Sequence, residues 1–268
     1  MRFTRLFIAA AAGVSCLPLG AAHAQDGRQR VDTTFAFERG GSVTLGIVSG
    51  EIRVTAGSAN EIRIVASIER GRFETAFSRS RASVVARSVN GRMGETRIEV
   101  TAPVGTRVRA NSVSGDITVR GTRGEVEVAT VSGDVLVSDV SGDVSVGSVS
   151  GRVTIREARV RTLRASSVSG DISYDGLFDR EGSYRFNSHS GSVHFSLPAD
   201  AGATLELETF SGRISSDFAV TLQPGETVGQ RNRRMQFSIG GGSGVRISAE
   251  TFSGNITIRR AAPRGTEE

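Results

Sequence analysis

The residues whose types could do chemistry recur along the chain rather than standing alone. An aspartate follows a Ser-Gly pair at Asp116, Asp134 and Asp171, the arrangement with which nine-residue calcium repeats line up carboxylates. Calcium takes about six to eight oxygen ligands, and the equivalent positions further along are Arg152, Ser192 and Arg213. Mixed signs relieve like-charge stacking, so the aspartates read as structural and neither a metal nor any other cofactor is expected. Ser114, Ser132, Ser141, Ser150, Ser169, Ser190, Ser211 and Ser253 each precede a glycine. A nucleophile is needed once, whereas a corner post is needed at every turn, and the chain holds no Gly-x-Ser-x-Gly elbow. His189 and His194 are the two histidines beyond residue 24. His189 is expected in the inward slot that Val168 and Phe210 hold one turn to either side, and His194 outward between Val193 and Phe195. The two rings then lie on opposite sides of a wall and share no metal. Arg231, Arg233 and Arg234 are the remaining candidates, because guanidinium groups fork onto carboxylates, sulfates and phosphates of an anionic glycan.

What is missing narrows the chemistry further. All 33 basic residues are arginine, and without lysine there is no Schiff base, no Ser-Lys dyad and no Walker-type phosphate lysine. The 28 acidic residues are interspersed with the arginines, unlike the basic stripe of a nucleic-acid binder, so no nucleic-acid partner is expected.

The elements that must position these residues follow a nine-residue register. From residue 114 the chain divides without gaps into SGDITVRGT, RGEVEVATV, SGDVLVSDV, SGDVSVGSV and SGRVTIREA. Within SGDVLVSDV, Val135 and Val137 share one side of a strand and Val140 returns inward after a short bend. The corner glycines Gly50, Gly115, Gly133, Gly142, Gly151, Gly170, Gly191, Gly212 and Gly254 serve tight turns or close backbone approach, where a β-carbon obstructs. Spacings of 18, 18, 19, 21 and 21 from Gly115 to Gly212 give two nine-residue units per turn. The predicted fold is therefore all-β: a single-stranded parallel β-helix, or β-solenoid, with turns of roughly 18–21 residues. Val113, Val131, Val149 and Val168 are expected to stack inward. Glu208-Thr209-Phe210-Ser211-Gly212 recurs 42 residues later at 250–254, which reads as two turns of 21.

The domain layout starts with an address. Arg2 and Arg5, an apolar stretch from Leu6 to Leu19 and Ala22-His23-Ala24 form the three parts of an export signal, residues 1–24, cleaved near Ala24. Gly13 stands where a lipid-anchor motif ahead of Cys16 wants a large aliphatic residue, so signal cleavage is the preferred reading. Residues 25–260 form the solenoid, with irregular N-terminal turns over 31–110, regular repeats over 111–222, an inserted loop over 223–236 and C-terminal turns over 237–260. Residues 261–268 are a polar, disordered tail. No stretch reaches the ~20 apolar residues of a membrane span.

The repeated Val-Ser-Gly-Asp-[Ile/Val] corners, the Thr101-Ala102-Pro103-Val104-Gly105 entry and the export signal together resemble the bacterial β-strand-repeat proteins catalogued as DUF4097, described as "putative adhesins". The resemblance covers about residues 31–260 and implies an exported protein of the periplasm, cell surface or extracellular space, with no catalytic residue to carry over. The residues themselves point to a non-enzymatic envelope or surface module that binds an envelope protein or polysaccharide, with end-to-end self-association through open strand edges as a further expectation. The alternative is a carbohydrate-active β-helix enzyme with its site on the irregular turns or the inserted loop.

Overall fold

The computed structural model describes residues 28–89, 91, 93–198, 201–218, 233–239 and 244–261. The export signal, Cys16, the tail beyond 261 and Arg231 lie outside them. Every regular element among the described residues is a strand. Alternation of Val, Ile or Leu with polar residues is the cause: β7 (Thr96–Pro103) buries Thr96, Ile98, Val100 and Ala102 while Arg97, Glu99 and Thr101 stay outside, the period-two pattern of a half-buried strand.

The strands line up on two faces that share one core. In spatial order the first face runs β5 (Arg72–Phe77), β6 (Arg81–Arg87), β2 (Ser42–Gly46), β8 (Arg107–Asn111), β10 (Val126–Thr130), β12 (Val144–Ser148), the second half of β13 (Val153–Ser167), the second half of β14 (Ile172–Ser188), β19 (Val245–Thr251), β16 (Ala203–Thr209) and β18 (Arg233–Ile239). The second face runs β1 (Gln29–Ala36), β4 (Glu61–Ile68), β7, β3 (Gly50–Gly57), β9 (Asp116–Arg120), β11 (Val135–Ser138), the first halves of β13 and β14, β15 (Val193–Leu197), β20 (Ile256–Arg260) and β17 (Ile214–Ser216). In the middle, Val126 sits opposite Val144 and Val135 opposite Val153, a step of one 18-residue turn.

The sheet is mixed, which corrects the expectation of a purely parallel single-stranded helix. Four antiparallel pairings, β1–β4, β4–β7, β5–β6 and β16–β18, close the ends. A coil that simply continued would leave parallel edges open; antiparallel strands cover three of the four outer edges, and β17 ends the second face parallel to β20. Arg233 to Gln236 accordingly belong to strand β18 rather than to the inserted loop expected over 223–236.

Turn order departs from chain order at both ends. The turn β2–β3 lies between β6–β7 and β8–β9. Likewise β19–β20 lies between β14–β15 and β16–β17. The 42-residue repeat therefore marks two adjacent turns stacked in reverse order, not two successive steps of 21: Glu208 lies directly opposite Glu250.

Side-chain volume explains the turn lengths. The 18-residue turns are filled by pairs such as Val126 and Val128 or Val135 and Val137, all buried. The longer turns hold Tyr174, Tyr184, Phe186 and Phe195, with Tyr174 and Tyr184 centroids 5.8 Å apart and Phe186 stacked on Phe195 at 5.6 Å. Larger rings need a wider wall. β13 and β14 supply it by running as 15- and 17-residue strands round the second corner with register shifts between Arg156 and Arg159 and between Val160 and Thr162. Inside, the Tyr174 hydroxyl donates to the Leu177 carbonyl and the Tyr184 hydroxyl to that of Val160.

Candidate functional site

The corner that carries the Ser-Gly pairs is built the same way in turn after turn. A Ser or Thr three residues before each glycine accepts that glycine's amide: Ser112 from Gly115, Thr130 from Gly133, Ser148 from Gly151, Ser167 from Gly170, Ser188 from Gly191, Thr209 from Gly212 and Thr251 from Gly254. Most of these hydroxyls are buried, so the bond replaces lost water. The glycines stack: a β-carbon on Gly133 would lie 2.0 Å from the Gly115 carbonyl oxygen, and one on Gly151 1.8 Å from that of Gly133. From Gly115 to Gly254 close approach of backbone to backbone, rather than a positive φ, is why glycine stands there; Gly50 has a φ of 114° as well. Gly142 departs from this column; its β-carbon would meet Gly124 at the other corner.

The aspartate ladder also has a structural task. Asp116 Oδ1 accepts the amide of Asp134 at 2.9 Å, Asp134 that of Arg152 at 2.8 Å and Asp171 that of Ser192 at 2.8 Å. Each carboxylate caps the next turn. Asn255 enters the ladder between Ser192 and Arg213 and does the same for Arg213 at 2.9 Å.

The serines, glycines and aspartates are thus absorbed by the fold, and one position of the corner is left over. Sequence reasoning placed Val113, Val131, Val149 and Val168 inward; the structure turns them out. Val48, Val113, Val131, Val149, Val168, Phe252 and Phe210 are all 40–49% exposed. The turn is the reason: from Ser112 onward the preceding Ser or Thr takes the buried slot so that its hydroxyl can reach the glycine amide, and the next residue must then point to solvent; before Val48 the buried slot is held by Ile47. Strand alternation, extended one residue too far into the corner, gave the wrong side. His189 shares this position and is exposed, again contrary to expectation.

Backbone hydrogen bonds fix the order of the column as Val48, Val113, Val131, Val149, Val168, His189, Phe252 and Phe210. Ser114 donates to the Val48 carbonyl, Ser132 to Val113, Ser150 to Val131, Ser169 to Val149, Ser190 to Val168, Ser253 to His189 and Ser211 to Phe252. The three rings lie flat on one another, His189–Phe252 at 5.0 Å and Phe252–Phe210 at 4.8 Å, each pair within 6° of parallel. The result is a continuous apolar ridge, about 34 Å long at ~4.8 Å per step. Seven of the nine large exposed hydrophobic residues among those described lie on it.

Its borders are distinct. On one side, the outward residues in register are Gly46, Asn111, Ala129, Gly147, Ser166, Asn187, Glu250 and Glu208. On the other, beyond the exposed serines, run Glu51, Asp116, Asp134, Arg152, Asp171, Ser192, Asn255 and Arg213.

The remaining candidates lie on the walls. His194 projects from the second face beside Arg152, Arg156 and Arg259 in an open groove of about 350 Å³, and its Nδ1 is buried without a hydrogen-bond partner. The first face has an open groove of about 660 Å³ lined by Arg185, Arg246, Glu206 and Glu250. Arg234 lies beside it, hydrogen-bonded to Glu206, which holds its guanidinium above the usual arginine pKa. It is therefore committed to a neighbour on β16, while Arg233 belongs to the same strand and Arg231 lies outside the described residues.

A protein-family model described as Toastrack DUF4097 matches residues 42–259. No curated protein matches the chain. Among solved structures, a "putative adhesin" from Bacteroides fragilis is 13% identical, with 87% of this chain and 97% of that one covered at a TM-score of 0.46. A "putative cell adhesion protein" from Clostridium sporogenes is 10% identical, covering 87% and 100% at a TM-score of 0.40. A "putative lipid binding protein" from Parabacteroides distasonis is 10% identical, covering 87% and 95% at 0.42.

Proposed function

The chain belongs to the Toastrack DUF4097 family, and from that premise we propose that it is an exported, non-enzymatic solenoid of the cell envelope or surface whose exposed corner ridge is its contact surface. The observation that carries this reading is the ridge itself. Seven Val and Phe side chains that stay 40–49% exposed line up along one corner, and a contiguous apolar strip of this extent marks an interaction site. The repeat holds it straight: each turn donates one side chain at the same height and angle, so the strip is pre-formed and loses little freedom on contact.

A variant carrying Val131→Ser, Val149→Ser and Phe252→Ser tests the reading. All three side chains are outside the core, so folding is expected to survive. Co-sedimentation with isolated envelope fractions and self-association are measured together with sugar release from envelope polysaccharides. The expected result is association that falls at least about tenfold in the variant, as for loss of several interface anchors, and no sugar release by either protein. Association unchanged by the three substitutions would overturn it.

A second reading, a carbohydrate-active enzyme, draws on Glu250, which lines the first-face groove, and Glu208 in register with it on the next strand, since glycosidases work with paired carboxylates. Sugar release abolished by Glu250→Gln would replace the first reading with this one.

A further inference from the structure

We propose that the partner of the ridge is the same ridge on a second copy of the chain, related by a two-fold axis that crosses it, so that the two solenoids lie side by side and antiparallel. The proposal rests on the contact-surface reading above and names the occupant.

Side-chain size is the first argument. The ridge is small at one end, with five valines, and large at the other, with His189, Phe252 and Phe210. Antiparallel pairing about the midpoint between Val149 and Val168 places Phe210 against Val48, Phe252 against Val113 and His189 against Val131. Each ring meets a valine, and the combined width stays nearly even along the seam. A parallel pair would crowd rings against rings at one end and leave a gap at the other, which well-packed interfaces avoid.

Charge is the second argument, and it comes from residues outside the ridge. A two-fold axis across the ridge sets each border against itself in reverse. Glu51 then faces Arg213, Asp116 faces Asn255, Asp134 faces Ser192 and Arg152 faces Asp171. On the other border Glu208 faces Gly46, Glu250 faces Asn111, Asn187 faces Ala129 and Ser166 faces Gly147. No like charges meet on either side, and two of the four pairings on the charged border are opposite in sign. Eight half-exposed side chains with their flanking serines offer on the order of 600 Å² per copy, so the pair falls at the low end of specific interfaces (~1,200 Å² in total).

Other occupants fit less well. A sugar ring stacks on an aromatic face, yet Phe252 has His189 on one face and Phe210 on the other. An anionic lipid or glycan surface would meet Asp116, Asp171 and Glu250 on the borders, with Glu51 paired to Arg53 and Arg97, Asp134 to Arg152 and Glu208 set opposite Arg234.

Thiol cross-linking tests the pairing, because Cys16 is the chain's only cysteine and Cys16→Ser leaves an introduced thiol alone. A disulfide needs Cα atoms within about 7 Å. Val149→Cys mixed with Val168→Cys, and Val48→Cys mixed with Phe210→Cys, are expected to give cross-linked dimers under mild oxidation. Val48→Cys alone is expected to stay uncross-linked, its two copies lying at opposite ends of a ~34 Å seam. Efficient self-cross-linking of Val48→Cys would show a parallel pair and overturn the proposal. So would a chain that sediments as a monomer at about 100 μM, a concentration that populates any dimer of micromolar affinity. Should such a monomer still bind envelope fractions through the ridge, the contact-surface reading stands and only the identity of the partner is wrong.

Discussion

At the residue scale, the repeated corner divides its work among four residues: a buried Ser or Thr, an exposed apolar residue, an exposed serine and a glycine. Two of these tasks are directly measurable. Gly133→Ala puts a β-carbon 2.0 Å from a backbone oxygen and is expected to cost at least about 2 kcal/mol in denaturant unfolding, as overpacking of a rigid site does. Gly147→Ala is the control, because its β-carbon would find only the Ser166 hydroxyl at 3.5 Å; it is expected to stabilise by about 0.5–1 kcal/mol through chain entropy. Ser148→Ala leaves the Gly151 amide without its 2.9 Å acceptor and is expected to cost about 1–3 kcal/mol. At the second corner Glu157 has φ 52° where the previous two turns have Asp139 at 51° and Gly121 at 77°. Glu157→Gly relieves that strain, and a gain of about 0.5–1 kcal/mol on the same unfolding curve is expected. The glycines were legible in the sequence because they recur. The hydroxyls that cap them recur too, as Ser112, Thr130, Ser148 and Ser167, but a small polar residue beside a valine reads as an exposed strand position.

At the element scale, the regular turns could be read from spacing alone and the ends could not. From Asp116 to Ile155 the valine periodicity gives the strands, their inward side and the 18-residue step directly. Where β2–β3 and β19–β20 insert between turns distant in sequence, every turn carries the same corner, so the sequence shows which segments are turns but not which turn each one touches. Partner choice is set by long-range packing in the core, where Ile247 lies between Tyr184 and Leu205 and Ala249 between Phe186 and Leu207. The aromatic turns also carry a pH signature. Burial is the largest cause that pushes the Tyr184 hydroxyl up to about 12 from its ordinary 10. With a folded pKa above the unfolded one, its contribution to stability is complete below pH 10 and is lost as pH rises from about 10 to 12. Tyr184→Phe is therefore expected to flatten the fall in stability over that window, as read by denaturant midpoints; an unchanged slope would contradict the burial of this hydroxyl.

At the scale of the whole molecule, the narrow residue alphabet and the fold express one design. Valine-rich strands and repeated Ser-Gly corners build the turns, and the repeat sets one apolar side chain at the same place on turn after turn. The wall grooves with His194 or Glu250 are local and open, whereas the ridge runs through eight turns. A contact ridge is covered when the protein is at work, and hydroxyl-radical footprinting measures that coverage. Phe210 and Phe252 report on the ridge, and Phe77, 40% exposed and off it, serves as the internal reference. Phe210 and Phe252 are expected to be oxidised several-fold more slowly in intact envelopes than in dilute purified protein, while Phe77 reacts equally in both. Equal oxidation of Phe210 and Phe252 under the two conditions would contradict it.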